Sequence, residues 1–415
     1  MVQNTLLIIG SVWIEPQSTA AGSRMLQLIA AFQSQSWQII FASTAADSAF
    51  AIDLDTIGIQ KKAILLNDAS FDHFIKAMQP QIVLFDRFMT EEQFGWRVAA
   101  NCPEALRVLD SEDLHFLRKT REEKYKNQQE VAVADYMKST IAFREIAAIY
   151  RCDVTLIISE FEMQLLKNVF KIPDEILFYL PFLIDEISVN QQNKWLKFEE
   201  RAHFISIGNF RHEPNWHTVL RLKQHIWPEI RKKIPTAQLH IYGAYPTPKA
   251  QQLHQEKDGF LIKGRADCAH KVIQKSRVLL APIPFGAGLK GKLIEAMQNG
   301  TPSVTTPIGA EAMHAHLPWN GAVCEQDSDF VLKAIDLYQN SKKWYAAQQN
   351  GLIIINKLYQ KKHFEALFMN QMQVLLANKK NHRTFNFIGN MLQHHSLQST
   401  KYLSKWIEEK QKNQP

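Results

Sequence analysis

Short apolar runs alternate with amphipathic stretches along most of the chain, and this pattern predicts its strands and helices. Several runs lack the apolar–polar alternation of a half-exposed strand, as strands buried on both faces do. Strands of this kind that alternate with helices form parallel sheets joined by crossover helices. The runs of the first half are TLLIIG near 5–10, WQIIFAS near 37–43, KAILLN near 62–67, QIVLFD near 81–86, LRVLD near 106–110, VTLIIS near 154–159 and ILFYLP near 176–181.

The same alternation starts again after a polar segment. Asn, Gln, Lys and Glu are frequent in 186–200, and the apolar runs HFISIG, QLHIYG, GFLIKG and SRVLLAP follow it. Helical patterns separate the runs in both halves, and the longest of the first half extends across about 128–151. The pattern therefore predicts two α/β domains in tandem.

Length supports this division. A chain of 415 residues is too long for one ordinary core and fits two domains of about 200 residues each. We place an N-terminal domain at 1–185, a linker at 186–200, a C-terminal domain at 201–360 and a basic helical segment at 361–415. The last 30 residues fit either an amphipathic contact with a membrane or partner, or a partly solvated helical tail.

The net charge indicates anionic partners. The formal charge is +7, and a composition with 46% hydrophobic and 21% charged residues excludes a wholly disordered chain. A nucleotide sugar, an anionic membrane surface and nucleic acid would each match the charge. The sequence has neither a zinc-finger spacing nor an aromatic–glycine motif for single strands, so we expect no nucleic acid.

The four cysteines are scattered, with no C-x-x-C pair. This argues against a metal or redox motif and favours a reducing compartment. The N-terminus lacks the basic region and the long apolar core of a signal peptide, and no run reaches the length of a membrane span. We therefore expect a cytoplasmic protein, with any membrane contact peripheral and at the inner face of the plasma membrane.

The strongest chemical signal is a glycine-broken loop that leads into a helix. Gly286, Gly288 and Gly291 allow the backbone to come close to a ligand, and the free N–H groups of the first helical turn favour negative charge. Lys290 and Lys292 add full positive charges at the same place. The segment therefore predicts a site for a phosphate or diphosphate.

Two common phosphate motifs fit this loop only in part. The three glycines have the G-x-G-x-x-G spacing of a dinucleotide site, but the following strand, SVTT, is not followed by the acidic residue that would bind the ribose. The loop also reads G-x-x-x-x-G-K as in a P-loop, yet Leu293 occupies the position where a hydroxyl must bind magnesium. A P-loop phosphohydrolase is therefore disfavoured.

The whole segment resembles the donor-binding region of GT-B glycosyltransferases, in the large retaining family with an E-x7-E element followed by EA-x-x-x-G-x-P-V. The first Glu of the element is missing, because its position is Ala287, or Phe285 if the loop has a short insertion. The resemblance extends over about 1–375, with specific motifs only in the C-terminal half. The residues that match in order are Glu295, Ala296, Gly300, Thr301 and Pro302.

The resemblance implies an α/β fold with two Rossmann-like, doubly wound domains that face a cleft, and C-terminal helices that cross back to the first domain. It also implies that Glu295 binds the ribose hydroxyls of the donor nucleotide. The alternative is an ordinary solvated helix carboxylate. Since Lys290 and Lys292 are two residues apart and cannot share one helical face, we expect only Lys290 to reach the phosphate.

Two loops are expected to reach the same cleft. The loop GNFRHEPNW of the second domain brings Gly208 and Arg211 to the donor diphosphate, where a guanidinium can bind bidentately. In the first domain, the resemblance implies that Gly22, with Ser23 and Arg24, lies near the acceptor or the donor phosphate. The alternative for Arg211 is a loop arginine in water. The alternative for the segment with Gly22 and Ser23 is a helix cap with a tight turn.

A dense group of titratable residues follows the predicted strand LRVLD, in the segment SEDLHFLRKTR. Catalytic groups concentrate in clusters of this kind at strand ends. Our candidates for contact with the acceptor hydroxyl or the transferred sugar are His115 and Asp110. The alternatives are an Asp that caps the next helix and a His that only packs.

The hypothesis from the sequence is transfer of a hexose-type sugar from a nucleotide-diphosphate sugar to a glycan or lipid-linked acceptor, as in polysaccharide biosynthesis. It is expected to be retaining and to need neither a metal nor another cofactor, because fixed cations would stabilise the leaving diphosphate. The missing Glu leaves two alternatives open. These are a catalytically silent nucleotide-binding or scaffold protein and a nucleotide-sugar epimerase.

Overall fold

The computed structural model describes residues 4–412, apart from the side chains of 395–397. Residues 413–415, the end of the predicted basic segment, lie outside the described part. The described chain forms two parallel sheets with helices on both faces. This confirms the predicted α/β class with two doubly wound domains.

The first sheet belongs to the N-terminal half. All its neighbouring strands run parallel, in the order β3-β2-β1-β4-β5-β6-β7. Its strands are β1 (Thr5–Gly10), β2 (Gln38–Ser43), β3 (Gln60–Ala63), β4 (Ile82–Asp86), β5 (Leu106–Asp110), β6 (Val154–Ile157) and β7 (Leu177–Tyr179).

The second sheet repeats this arrangement with one strand fewer. Its strands are also parallel, in the order β10-β9-β8-β11-β12-β13. They are β8 (Ala202–Ile207), β9 (Leu239–Tyr242), β10 (Phe260–Gly264), β11 (Ser276–Ala281), β12 (Ser303–Thr305) and β13 (Gly321–Val323).

Helices follow most strands and cover the sheets. In the N-terminal half they are α1 (Ala20–Gln33), α2 (Ser70–Met78), α3 (Phe88–Asn101), α4 (His115–Lys126), α5 (Val133–Met137), α6 (Thr140–Arg151), α7 (Glu160–Asn168) and α8 (Val189–Gln192). In the C-terminal half they are α9 (Glu213–Arg221), α10 (Trp227–Lys233), α11 (Pro248–Gln251), α12 (Ala269–Lys275), α13 (Gly291–Gln298), α14 (Pro307–Ala310), α15 (Asp327–Gln339), α16 (Ser341–Leu358), α17 (Lys361–Phe385) and α18 (Phe387–Lys412).

The central strands are buried on both faces, which explains their unbroken apolar sequences. In β1, Leu6 and Ile8 pack in one core cluster, while Leu7 and Ile9 pack in another on the opposite face. Each of these four side chains is at most 1% exposed. Burial of a side chain of this size contributes about 1.5–3 kcal/mol, so alternation with polar residues would be strongly destabilising here.

The last helices return to the first domain, as predicted. Phe368 and Met372 of α17 are fully buried in a core cluster of the N-terminal sheet, and the Phe368 ring meets the Phe32 ring at 5.5 Å. The chain passes between the domains at two adjacent places. There the Ile184 N–H donates to the Tyr359 carbonyl, and the Lys361 N–H donates to the Ile184 carbonyl, both at 2.9 Å.

Three elements differ from the sequence-based prediction. Strand β3 is Gln60–Ala63 rather than KAILLN, because an edge strand needs no apolar faces and Leu65 beyond it is 62% exposed. The single helix across 128–151 is instead α5 and α6, which Ser139 separates by capping the Ala142 N–H. Strand β13 was not predicted, since three residues carry too short a pattern.

Candidate active site between the two domains

A cleft of about 460 Å³ lies where the carboxyl ends of the two sheets face each other. This is the usual position of ligands in doubly wound sheets, and the volume suits a small-molecule ligand. The N-terminal wall consists of 16–21, Arg87, Met89, Glu112, Asp113, His115 and Arg118. The C-terminal wall includes 207–209, Arg211, His212, Asn215, 285–292 and Glu295.

The glycine loop, residues 283–290 between β11 and α13, forms the centre of the C-terminal wall. Gly288 has a φ of +61°, and a Cβ there would come within 2.9 Å of Asp113 Cβ and 3.2 Å of the Glu112 carbonyl oxygen. Only glycine tolerates both the positive φ and this contact. The loop therefore approaches the opposite wall with its backbone.

Lys290 and Lys292 follow at the start of α13. Lys290 is the N-cap residue, and its Nζ donates to the Gly288 carbonyl at 2.8 Å. Lys292 Nζ donates to Asn215 Oδ1 at 2.8 Å. Both lysines line the cleft, and the expectation that only Lys290 reaches the phosphate stays a prediction. Lys290 folds back on its own loop, whereas Lys292 binds the first turn of α9, so the two side chains have different partners in the cleft wall.

Burial brings the titration of this wall close to neutral pH. It lowers the pKa of both Lys290 and Lys292 to about 8. It also raises the pKa of Glu295 to about 7, although Lys292 opposes that rise. A charge that is disfavoured by burial gains most from a ligand of opposite charge.

The loop after β8 reaches the same wall. A Cβ at Gly208 would come within 2.6 Å of the Asn215 side chain, so this glycine allows Asn215 to fold back, where its Nδ2 donates to the Asn209 carbonyl at 2.9 Å. Arg211 also lines the cleft, with its guanidinium 3.7 Å from the centroid of the Tyr245 ring. The exposed Arg211 side chain thus stacks on an aromatic ring.

Two side chains of the first domain bind the glycine loop directly. Glu162 Oε1 accepts from the Gly288 N–H at 2.8 Å and from the Leu114 N–H at 3.0 Å. Burial, assisted by the Asp113 carboxylate, raises the pKa of Glu162 to about 8. Arg121 forms a bidentate pair with Glu311, with both N–O distances 2.8 Å, and donates to the Gly286 carbonyl.

The charged groups of the N-terminal wall are mostly paired with each other. Arg118 binds Asp113 at 2.7 Å. Burial opposes ionisation of Asp113, but Arg118 and His115 outweigh it, and the pKa of Asp113 falls well below its usual value. His115 lies in the cleft wall as predicted, with its Nδ1 3.5 Å from the carboxylates of Asp113 and Glu145.

The prediction that Asp110 and Arg24 reach the cleft has to be corrected. Asp110 is 0% exposed and Arg24 1%, and they bind each other at 3.0 Å. Arg24 Nη1 also donates to the Leu180 carbonyl at 2.8 Å. Asp110 does lie at a strand end, as predicted, but the guanidinium of Arg24 covers its carboxylate, so it does not face the cleft.

Gly22 and Ser23 also lie behind the cleft rather than in its wall. Thr19, not Ser23, caps α1 by accepting from the Gly22 N–H at 3.0 Å. A Cβ at Gly22 would come within 2.5 Å of the Glu15 carbonyl oxygen, and Ser23 Oγ donates to the Pro16 carbonyl. These residues therefore shape the preceding loop 16–21, which does line the cleft.

Several site residues were not selected from the sequence. Asn215 follows a proline in the first turn of α9, and Glu162, Arg121 and Glu311 lie on separate elements far apart in the chain. No spacing rule links them. In the sequence, each is only a charged or amide residue on an ordinary helix or loop. Such a residue cannot be recognised as part of a site until the domains are assembled.

Metal ligands and membrane spans were also sought. Among residues 4–412, no group of three or more His, Cys, Asp and Glu side chains is arranged to hold a metal ion. No helix of the described chain is both long enough and apolar enough to cross a membrane.

Two α/β domains that face a cleft, with a cation-lined glycine loop at a helix start, define a GT-B protein. The model of the family described as glycosyl transferases group 1 matches residues 201–340, which contain the second sheet and the glycine loop. This match lies within the C-terminal domain, which is therefore similar to that of group 1 glycosyltransferases.

Solved structures support the same fold. A glycosyltransferase from Rickettsia africae is 12% identical with a TM-score of 0.64, covering 91% of this chain and 100% of that one. Sucrose-phosphate synthase from Thermosynechococcus elongatus is 15% identical with a TM-score of 0.65, covering 90% and 100%. HepE from Anabaena, solved with UDP and glucose, is 11% identical with a TM-score of 0.63, covering 88% and 99%. No curated protein matches the chain.

Proposed function

We propose that the protein transfers a hexose-type sugar from a nucleotide-diphosphate sugar to a glycan or lipid-linked acceptor, with retention at the anomeric carbon and without a metal. The observation that carries this proposal is the pair of lysines at the glycine-broken start of α13, both in the wall of the cleft. Two partly neutralised ammonium groups beside free helical N–H groups suit a diphosphate.

Stabilisation of the leaving diphosphate is the main electrostatic task of such a reaction. As the bond from the sugar to the phosphate oxygen breaks, its electron pair goes to the diphosphate, which Lys290, Lys292 and the α13 N-terminus would stabilise. The acceptor oxygen bonds to the anomeric carbon on the side that the diphosphate leaves, and its proton passes to the diphosphate. Fixed cations that supply the countercharge support a reaction without a metal.

We infer the roles of the other cleft residues from their positions. Glu295, half-buried and close to Lys292, would accept hydrogen bonds from the ribose hydroxyls once ionised. Arg211, held on the Tyr245 ring, would bind the distal phosphate. His115, on the opposite wall, would face the sugar or the acceptor hydroxyl. HepE, a protein of the same fold, was solved with UDP and with glucose, which supports a nucleotide sugar as the donor.

The donor site can be tested without knowledge of the acceptor. UDP, GDP, ADP and inorganic pyrophosphate are titrated calorimetrically into the wild-type protein, Glu295→Ala and the exposed-residue control Lys275→Ala. We expect one nucleotide to bind, Glu295→Ala to weaken that nucleotide but not pyrophosphate, and the control to match the wild type. Failure of all three nucleotides to bind would remove the proposed function.

Retention and metal independence need turnover. The nucleotide sugar that binds is incubated with the enzyme and an alkyl glycoside, in the presence and absence of EDTA, and the product anomer is read from its proton NMR coupling. An unchanged rate in EDTA and an anomer equal to that of the donor are expected. Binding without any turnover of a bound donor would instead indicate a catalytically silent protein.

We further propose that the outer face of α18 contacts an anionic membrane. Ile388, Met391, Tyr402, Leu403 and Trp406 fall within about 120° of the helix circumference at 100° per residue, and each is at least 43% exposed. The opposite face is packed against the protein. The helix has four lysines against two glutamates, which favours an anionic surface over a neutral one.

Vesicle sedimentation tests this contact. Leu403→Ser combined with Trp406→Ser is compared with the wild type and with Phe143→Ser, which removes a 62% exposed aromatic from α6. Phosphatidylglycerol-containing vesicles should retain the wild type and the control but not the double variant, and pure phosphatidylcholine should retain none. Equal binding of all three proteins, or concentration-dependent dimerisation that the double variant abolishes, would contradict the membrane contact.

A further inference from the structure

The residue that follows Ser111 in the N-terminal wall has an unusual backbone. The Asp113 N–H donates to the Ser111 carbonyl at 2.7 Å, which closes a three-residue turn with Glu112 in the middle at a φ of +61°. A γ-turn with positive φ is rare and is strained for a residue other than glycine. The fold thus holds Glu112 in a position that the residue does not prefer.

The strained turn places Glu112 directly across from the glycine loop. The carbonyl oxygen of Glu112 is one of the atoms that a Cβ at Gly288 would meet, at 3.2 Å. The residue also lines the cleft that contains Lys290 and Lys292. Any sugar held between the two walls therefore passes close to Glu112.

The neighbouring carboxylates all have cations or donors, whereas Glu112 does not. Asp113 binds Arg118, Asp110 binds Arg24, and Asp86 accepts from Ser11 Oγ at 3.1 Å. Glu112 Oε1 is shielded from solvent, and no side chain or backbone group within residues 4–412 donates a hydrogen bond to it. A buried polar atom without a hydrogen-bond partner is destabilising, and a ligand that pairs with it would remove this cost.

The surroundings of the Glu112 carboxyl disfavour its negative charge. Burial, followed by the carboxylates of Asp110 and Asp86, raises the pKa of Glu112 well above its usual value, against the opposing effect of Arg87 and Arg24. Burial therefore favours the protonated form of this carboxyl. A protonated carboxyl both donates and accepts a hydrogen bond, as a sugar hydroxyl does.

We propose that the carboxyl group of Glu112 binds a hydroxyl group of a sugar in the cleft and thereby selects the sugar. The proposal rests on the proposed glycosyl transfer and deepens it. The hydroxyl belongs either to the sugar of the donor or to that of the acceptor, and the chemistry of recognition is the same for both. A site built to pair with a hydroxyl discriminates strongly against an analogue that lacks it.

The test compares Glu112→Gln, which keeps a neutral group that donates and accepts, with Glu112→Ala, which keeps neither. Glu123→Ala, an exposed glutamate on α4, is the matched control. One arm measures the dissociation constants of the nucleotide and of its nucleotide sugar, chosen as the pair that the wild type binds best. The other arm titrates octyl glucoside, as an acceptor probe, into protein saturated with the nucleotide.

Glu112→Ala should weaken one of the two sugar ligands about ten-fold or more, while the nucleotide alone binds as in the wild type. Glu112→Gln should restore most of that affinity, which a purely structural role would not explain, and the affected arm identifies the sugar. If Glu112→Ala weakens neither sugar ligand, or if Glu112→Gln is as damaging as Glu112→Ala, the proposal is wrong. A wild type that binds no nucleotide would already have removed the proposed function.

Discussion

The two walls of the cleft are built on different principles. The C-terminal wall presents backbone, through the glycine loop, and two lysines whose charge burial has weakened. The N-terminal wall presents charged side chains that are already satisfied by one another, such as Asp113 with Arg118. Glu112 differs from these pairs, because its Oε1 has no hydrogen-bond partner within the described residues.

This difference separates binding groups from supporting groups. A cation that lacks a carboxylate partner in a buried place gains from an anionic ligand, so Lys292 is suited to bind one. A carboxylate that is paired and enclosed, like Asp110, contributes to the integrity of the domain instead. Changes in the two walls should therefore be separable into effects on stability and effects on affinity.

The largest predicted effect is on stability, and it concerns the buried ion pair of Arg24 and Asp110 in the N-terminal domain. Arg24→Ala leaves the Asp110 carboxylate buried without its cation, and we expect a loss of about 3–5 kcal/mol in the free energy of unfolding. Urea unfolding measures it. Asp110→Asn is the milder companion if Arg24→Ala does not fold.

The control for this pair is Arg144→Ala, which breaks a pair with Glu92 whose side chains are 52% and 29% exposed. An exposed pair of this kind contributes at most about 1 kcal/mol. Equal losses in Arg24→Ala and Arg144→Ala would show that the N-terminal wall is not held by its enclosed charges.

The second-largest predicted effect is also on stability, and it concerns the hydrogen bonds by which Glu162 joins the two walls of the cleft. Glu162→Ala removes the acceptor of two buried N–H groups, those of Gly288 and Leu114, and we expect a loss of about 2–4 kcal/mol in unfolding free energy. Glu162→Gln keeps the acceptor oxygen and the neutral state that the raised pKa favours. A Gln variant as unstable as the Ala variant would mean that the hydrogen bonds do not support the loop.

Removal of one cation from the C-terminal wall should change affinity and leave stability nearly intact. Lys292→Ala loses a charge-assisted hydrogen bond to the ligand, so the dissociation constant for the nucleotide should rise about 10- to 100-fold. Calorimetric titration measures it, with Lys275→Ala as the control. Unchanged affinity in Lys292→Ala would place the anion elsewhere.

The smallest effect is a pH dependence of the same affinity. Lys290 and Lys292 have a pKa of about 8 in the folded protein, so they are charged below that pH and lose their protons above it. Affinity for pyrophosphate should therefore fall by up to about ten-fold between pH 7 and 9. The fall should be shallower in Lys292→Ala, and a rise in affinity over this range would contradict the assignment.

Much of the fold could be predicted because buried parallel strands have an unambiguous apolar pattern. LRVLD became β5 with the predicted bounds, and TLLIIG became β1. The edge strand β3 was misplaced and β13 was not predicted, because edge and very short strands bury too little to impose a pattern. The predicted roles of Lys290, Arg211 and Glu295 remain predictions, although all three line the cleft.

The sequence by itself determined the class of fold, the glycine loop and the cations at its end, because these depend on local spacing and on backbone freedom. Only the tertiary structure decided which charges are free. Asp110 and Glu112 are two residues apart with the same chemical group, yet one is enclosed by Arg24 of α1 and the other has no hydrogen-bond partner for its Oε1 among residues 4–412. Pairing between distant elements depends on how the helices pack on the sheet, and no local pattern encodes it.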